Sequence, residues 1–274
     1  MINSRRLRWI VALASGLLAQ PALAHDPVFG IGPHVLYQGG VEVAIESAAE
    51  KAGPEKEQEL ALELTYGLTG DWAVGVDLPW VRKADDGNRS SGAGDVALFT
   101  KYRFWRRDSL GLQESAAVLL KVVTESADST TTPPLGKGVT DGIAGLTWGY
   151  ESRKWYRWAS VRYRYNGTNP AGVDRGDMLR VDLVGGIRPT PRGYLEPDTV
   201  WLLELNGEIQ QKARLNGQDL ADTGGMQWFV SPGIFWTLRN FAIKAGVQIP
   251  VLSDLNGNQP DADYRARLIL EWHL

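Results

Sequence analysis

Cysteine is absent from all 274 residues, so disulfide staples, thiolate nucleophiles and cysteine-held metals have no part in this chain. Histidine is nearly as scarce, with His25, His34 and His273 the only three. A hydrolase built on a nucleophile and a positioned base is therefore short of bases, and no Ser-x-x-x-His or comparable pattern falls on a candidate strand. Long apolar runs are missing too. The longest, residues 9–18, is shorter than the ~20 residues of a spanning helix, which argues against a helical anchor. Positive charge is in deficit. Without Arg5, Arg6 and Arg8, which precede that run, the chain holds 26 basic against 32 acidic residues, a net −6. That balance excludes a nucleic-acid surface.

What remains is distinctive. The three arginines, the apolar stretch and Ala22-Leu23-Ala24 read as a secretory signal over residues 1–24, cleaved before His25. Residues 25–40 carry two prolines and four glycines without a period; they are expected to form a periplasmic segment and a candidate plug. From residue 41 onward a period of two takes over. It is plain in the last stretch, YRARLILEWHL, where Tyr264, Leu268, Leu270, Trp272 and Leu274 share one side and Arg265, Arg267, Glu271 and His273 the other.

The same pattern predicts twelve strands, over residues 41–49, 58–68, 72–80, 94–104, 110–124, 140–150, 155–166, 177–188, 199–210, 225–236, 241–250 and 264–274. Short returns at 69–71, 106–109, 151–154, 189–198 and 237–240 alternate with longer polar connections, among them 50–57, 82–92 and 251–263. Eleven Trp and nine Tyr, beside 31 Gly, suit aromatic girdles and tight turns. Strand charges fall on one face, with Glu114 and Arg157 the main exceptions. A basic side chain facing lipid at mid-membrane costs ~2–4 kcal/mol, so that segregation points to water inside and lipid outside. A soluble ligand-binding barrel would invert it. The expected fold is all-β: a transmembrane antiparallel up-and-down β-barrel over residues 41–274, its last strand paired with its first, with both termini on the periplasmic short-turn side.

The inward face then carries Glu42, Glu46, Glu59, Glu63, Asp77, Asp95, Glu204, Glu208 and Glu271, together with Lys101, Arg103, Lys121, Arg162, Arg164, Arg180, Lys244, Arg265 and Arg267. The first three strands are acidic and the next five mostly basic. Such a field could orient a polar solute in a channel; equally, the charges could form an ion-pair network filling a barrel of moderate width. Paired acids such as Glu59 and Glu63 suit acid–base chemistry in principle, but four residues apart on a strand they are commoner in a pore wall. His25, as a new N-terminus, would offer an amine and an imidazole that suit Cu(II), with His34 nearby in sequence. The alternative is a flexible terminus with incidental histidines.

Three stretches resemble the MetA-pathway of phenol degradation family of outer-membrane transporters: HDPVFGIGPHVLYQGGVEV (25–43), YGLTGDWAVGVDLPW (66–80) and GAGDVALFTKYRFW (92–105). The resemblance spans essentially the whole mature chain. It implies a porin-like or transporter barrel of the Gram-negative outer membrane, without catalytic residues. Its partners would be outer-membrane lipid, a small, aromatic or hydrophobic solute, and the barrel-assembly machinery. The HDP…GPH start further implies a link to heavy-metal handling. Leu274 departs from the outer-membrane pattern, in which Phe is the most frequent last residue. Three readings stand at this point: a monomeric channel, a copper-binding accessory barrel of an efflux system, and an outer-membrane enzyme acting on lipid.

Overall fold

Two-residue alternation becomes a ladder wherever neighbouring strands can share it, and a closed ladder leaves no backbone group unpaired in lipid. The structure, a computed structural model, describes residues 26–193 and 195–274. The expected signal peptide, its cleavage site and His25 lie outside the described residues. In chain order the strands are β1 (Val41–Ala52), β2 (Glu55–Thr69), β3 (Trp72–Asp85), β4 (Asn88–Ala93), β5 (Ala97–Ser109), β6 (Leu112–Val123), β7 (Asp141–Ser152) and β8 (Trp155–Tyr165). They continue with β9 (Val173–Asp174), β10 (Met178–Ile187), β11 (Asp198–Gln210), β12 (Arg214–Leu215), β13 (Gln218–Asp219), β14 (Gly225–Leu238), β15 (Phe241–Leu255) and β16 (Ala262–His273). Each long strand pairs antiparallel with its neighbours, β1 pairs with β16, and β2 with β3, so the sheet closes on itself. Since β4 continues the line of β5 against β3, the barrel has twelve staves. The two-residue strands β9, β12 and β13 make a separate small sheet in the loops above it.

The outer wall is apolar. Leu60, Leu78, Leu98, Leu120, Leu146, Leu183, Leu203 and Ile249 are all exposed there. Trp72, Trp155 and Trp201 ring the end that holds the termini; Trp80, Tyr163, Tyr165 and Tyr264 ring the other. These are the two aromatic belts of a membrane barrel. The cost of a charge there makes a direct expectation. Leu203→Arg, at the middle of β11, should destabilise the refolded barrel by about 2–4 kcal/mol in denaturant titrations in liposomes; an unchanged midpoint would mean that this face does not meet lipid.

Several connections are shorter than the hydropathy pattern suggests. Strands β1 and β2 run through the expected loop 50–57 to a two-residue turn at Gly53 and Pro54, where Gly53 takes a positive φ of 57°. The expected loop 82–92 is mostly a hairpin, with Trp80 to Asp85 paired to residues 88–93. The stretch 251–263 contracts to 256–261, because β15 and β16 extend. The physical reason is common to all three. Above the membrane the ladder continues in water, where polar residues on both faces hide the period of two.

The return placed at 106–109 moves to residues 110–111, since β5 continues to Ser109. Register between β5 and β6 slips by one residue between Arg103 and Trp105; this bulge puts one additional outward aromatic, Phe104, beside Trp105. Glu114, the anomaly on β6, sits near this strand end and is ion-paired to Arg107. Arg157, the other anomaly, lies two residues from the start of β8 with its guanidinium 5.4 Å from the centre of the Tyr150 ring. Both charges sit near the rim, away from the hydrocarbon centre.

Candidate functional site

The interior is not an empty tube. Residues 26–36 run inside the barrel, with Val28, Phe29, His34 and Val35 buried. An apolar patch on the inner wall receives them: Val28 and Phe29 cluster with Tyr156, Trp158, Val184, Val200, Leu202 and Phe235. This is a departure from the uniformly polar interior expected, and its cause is the presence of the segment. Proline and glycine keep the segment out of the ladder, so its backbone groups need side-chain partners.

Glu204 on β11 supplies three of them. Its carboxylate, on a residue only 1 % exposed, accepts hydrogen bonds from the amides of Val28 at 2.7 Å, Phe29 at 3.2 Å and Gly30 at 2.9 Å. The carbonyl of Ile31 accepts from the Thr147 hydroxyl at 2.8 Å, that of Phe29 from Arg162 at 3.2 Å, and that of Val28 from Arg267 at 2.9 Å. Arg267 also lies over the Phe29 ring, and Lys101 holds Asp26 at 2.6 Å. A buried network stands behind this latch. Asp182 accepts from Ser160, Arg162 and Asn206, and Asn206 accepts from Ser231.

The segment leaves the lumen at the end that carries both termini. Tyr37 donates its hydroxyl to the carbonyl of Leu274 at 2.8 Å; the Gly39 amide donates to the Gly67 carbonyl at 2.8 Å and the Gly67 amide to the Gly40 carbonyl at 3.0 Å, across the turn that leads to β1. A Cβ on Gly67 would overlap the Tyr37 carbonyl, so only glycine admits the segment at this point.

Between the segment and the barrel wall remains a cavity of about 650 Å³, bordered mostly by β1 to β7 and also by β8, β10, β15 and β16. One wall is acidic, with Glu42, Glu46, Glu59, Glu63 and Asp77, and the other carries Lys101, Lys121, Arg162, Arg164 and Arg180, while Arg267 on β16 stands beside the acidic strands. A smaller space of about 200 Å³ continues towards the external mouth, and Glu59 borders both. Many of these charges meet a partner. Arg267 pairs with Glu46 at 2.9 Å, Arg265 with Glu50 and Glu208 at 2.9 Å each, Arg180 with Glu208 at 3.1 Å, and Lys121 with Asp77. At the terminal rim Glu42 meets His273 at 2.8 Å and Glu271 meets Lys244, while Arg103 reaches back to Asp71 in the β2–β3 turn at 2.7 Å. Glu59 and Glu63 have no ion pair among the described residues. Ion pairs thus run along the seam, and a strip of acid faces the cavity.

Some residues hold different posts from those expected. Asp95 lies at the cavity wall, but its carboxylate is taken by loop 124–140, accepting from the amides of Ala127 and Lys137 at 3.0 Å each. That loop folds across the external mouth and buries Leu135 against it. Within it, the hydroxyl and amide of Thr130 hold the Asp128 carboxyl below its ordinary range. Asp95→Ala should raise the rate of protease cleavage in this loop on the order of tenfold, the loss of two amide partners; an unchanged rate would show that the loop is held from elsewhere. Asp141 went unremarked in the sequence. Its side chain is fully buried and draws Arg164 at 2.6 Å, Arg175 at 2.9 Å and Lys137 at 3.4 Å. The signal available was its position at the first residue of a strand near three scattered cations, which the pairing of β7 with β8 and the folding of their loops bring together.

Of the expected metal pair, His25 lies outside the described residues and only His34 can be placed. His34 is ion-paired to Glu151, which also accepts from the Trp158 indole at 2.8 Å. Among the described residues the one group of three ligand-type side chains is Glu42, Glu271 and His273, and Lys244 already sits on Glu271.

Comparison with known proteins agrees with this architecture. The family model described as "Putative MetA-pathway of phenol degradation" matches residues 24–254. The COG4313 outer membrane channel from Pseudomonas putida F1 superposes with a TM-score of 0.71 at 13% identity, covering 91% of this chain and 100% of that one. The NanC porin follows with a TM-score of 0.53 at 10% identity, covering 85% of this chain and 100% of its own. No curated protein sequence matches.

Proposed function

The chain belongs to the MetA-pathway of phenol degradation family, and on that premise we propose that it is an outer-membrane channel which passes a small solute between charged walls and closes with its own N-terminal segment. The observation that carries the reading is the cavity of about 650 Å³ inside a closed barrel, acidic on one wall and basic on the other, with residues 26–36 running along it. Such walls favour a dipolar solute, and the family description supports an aromatic one. Opposed charges orient a dipole as it passes and lower the cost of leaving water. The solved neighbours are a channel and a porin, which supports transport over catalysis. On this reading residues 1–24 are an export signal, the barrel stands in the outer membrane of a Gram-negative cell, and the barrel-assembly machinery inserts it.

The test is solute flux in liposomes, with mature protein and with a form lacking residues 25–36. Small phenols or aromatic acids should cross faster than through empty liposomes in at least one of the two. Flux equal to empty liposomes in both would sink the channel reading.

A further inference from the structure

Outside the lumen, the strands β1 to β4 present a second feature that transport does not use. Register places Ser47, Leu60 and Trp80 in one outward row, Gln58, Arg82 and Ser91 in the next, and Lys56, Ala84 and Arg89 in the third. The first row ends the apolar belt; Trp80 is 58% exposed. The small side chains of Ser47 and Ala49 leave a groove of about 680 Å³ bordered by Leu60 and Trp80 below and by Arg82 and Arg89 above. Rows on one face of a strand are ~6.8 Å apart, two residues of rise. The guanidinium-bearing positions therefore stand about one and two rows beyond the tryptophan belt, at headgroup depth.

The charge pattern is selective. Acidic residues of the same strands, Glu50, Glu57 and Glu59, fall on the inward parity, and Lys83 pairs with Glu57 there at 3.4 Å. Lys51, on the outward face, is paired with Asp263 at 2.5 Å. Arg82, Arg89 and Lys56 are exposed and have no ion pair among the described residues. Three uncompensated cations thus gather on the outer wall of a chain whose net charge is negative. Their edge of the barrel is the one away from the termini, which under the outer-membrane reading above is the external leaflet.

We propose that this groove binds the phosphorylated glycolipid of the external leaflet, an acyl chain lying against Leu60 and Trp80 and its two sugar phosphates held one by Arg82 and one by Arg89. Guanidinium suits the role, since its fork matches phosphate oxygens in pairs. A glycolipid with two phosphates fits cations spread over two rows, where a single-phosphate phospholipid reaches only one of them.

The test uses mature barrel in neutral detergent, titrated with diphosphoryl lipid A, with its dephosphorylated form and with phosphatidylglycerol, and read by native mass spectrometry as the fraction of barrel carrying lipid. Diphosphoryl lipid A should be retained best, and Arg82→Ala with Arg89→Ala should weaken it about tenfold or more. Arg157→Ala, which removes an outward cation at the opposite rim, should leave retention unchanged. Equal retention of the dephosphorylated form or of phosphatidylglycerol, or a double variant that binds like the parent, overturns the proposal. Planar-bilayer conductance separates it from the channel reading. A barrel that conducts without phosphate preference overturns the glycolipid site alone; one that keeps the preference but passes neither ions nor solute, with and without residues 25–36, overturns the channel alone.

Discussion

Deleting residues 25–36 should convert a closed barrel into an open one, seen as steady current steps in planar bilayers where the mature protein is silent or flickers. The segment borders the main cavity through Asp26, Phe29, His34 and Leu36. Removing it joins that cavity to the space the segment filled, and the cross-section open to ions grows. The deletion stops short of Tyr37, so the hydroxyl contact to Leu274 at the barrel seam is kept. Heat-shifted electrophoretic mobility should show that the truncated form is still a barrel. Equal conductance in both forms would remove any gating role from the segment.

Glu204→Ala should produce the second largest change. Three consecutive amides depend on this one carboxylate, and each buried donor left without a partner costs roughly 1–3 kcal/mol. Even if water entering from the cavity recovers most of this, a loss on the order of 3 kcal/mol raises the population of the released segment about a hundredfold. Hydrogen exchange at Val28, Phe29 and Gly30 should accelerate accordingly, and the mature protein should open more often. Glu208→Ala is the matched control. It lies on the same face of β11 but pairs with Arg180 and Arg265 rather than with the segment. Unaltered exchange in Glu204→Ala, or equal acceleration in both variants, would refute the latch.

The barrel was readable because lipid imposes a rule on single residues. Leu60, Leu62 and Leu64 alternate with Glu59, Ala61 and Glu63, and that alternation alone sets the inward and outward faces of β2. The rule lapses at the rim. Residues 82–92 look like a loop since Arg82, Lys83, Arg89 and Ser90 give no apolar face, although their backbones pair. The bulge at Phe104 was hidden for a different reason: one additional residue shifts parity without changing composition.

The site was less legible than the fold, and Glu204 shows why. On β11 it reads like any other inward acid, and its alternation with Leu203 and Leu205 says only that it faces the lumen. What it binds is 174 residues or more away in sequence, on a segment with no periodicity to betray its path. Asp95 and Asp141 are similar cases. Their partners, the amides of Ala127 and Lys137 and the side chains of Arg164 and Arg175, become neighbours only after β5 to β8 have paired and their loops have folded back.

The route of residues 26–36 also bears on the order in which the protein can be made. The polar groups that hold Val28 to Ile31 belong to β7, β8, β11 and β16, and the apolar patch beneath them to β8, β10, β11, β14 and β15. None belongs to β1, β2 or β3. An open sheet running from β7 to β16 therefore already displays the docking surface of Val28 to Ile31, while β1 has yet to meet β16. The segment is joined directly to β1, so its docking delivers the first strand to the last. In biogenesis terms, a segment docked before closure would act as a tether: it would turn the search of one barrel edge for the other, more than 200 residues apart along the chain, into a short-range encounter.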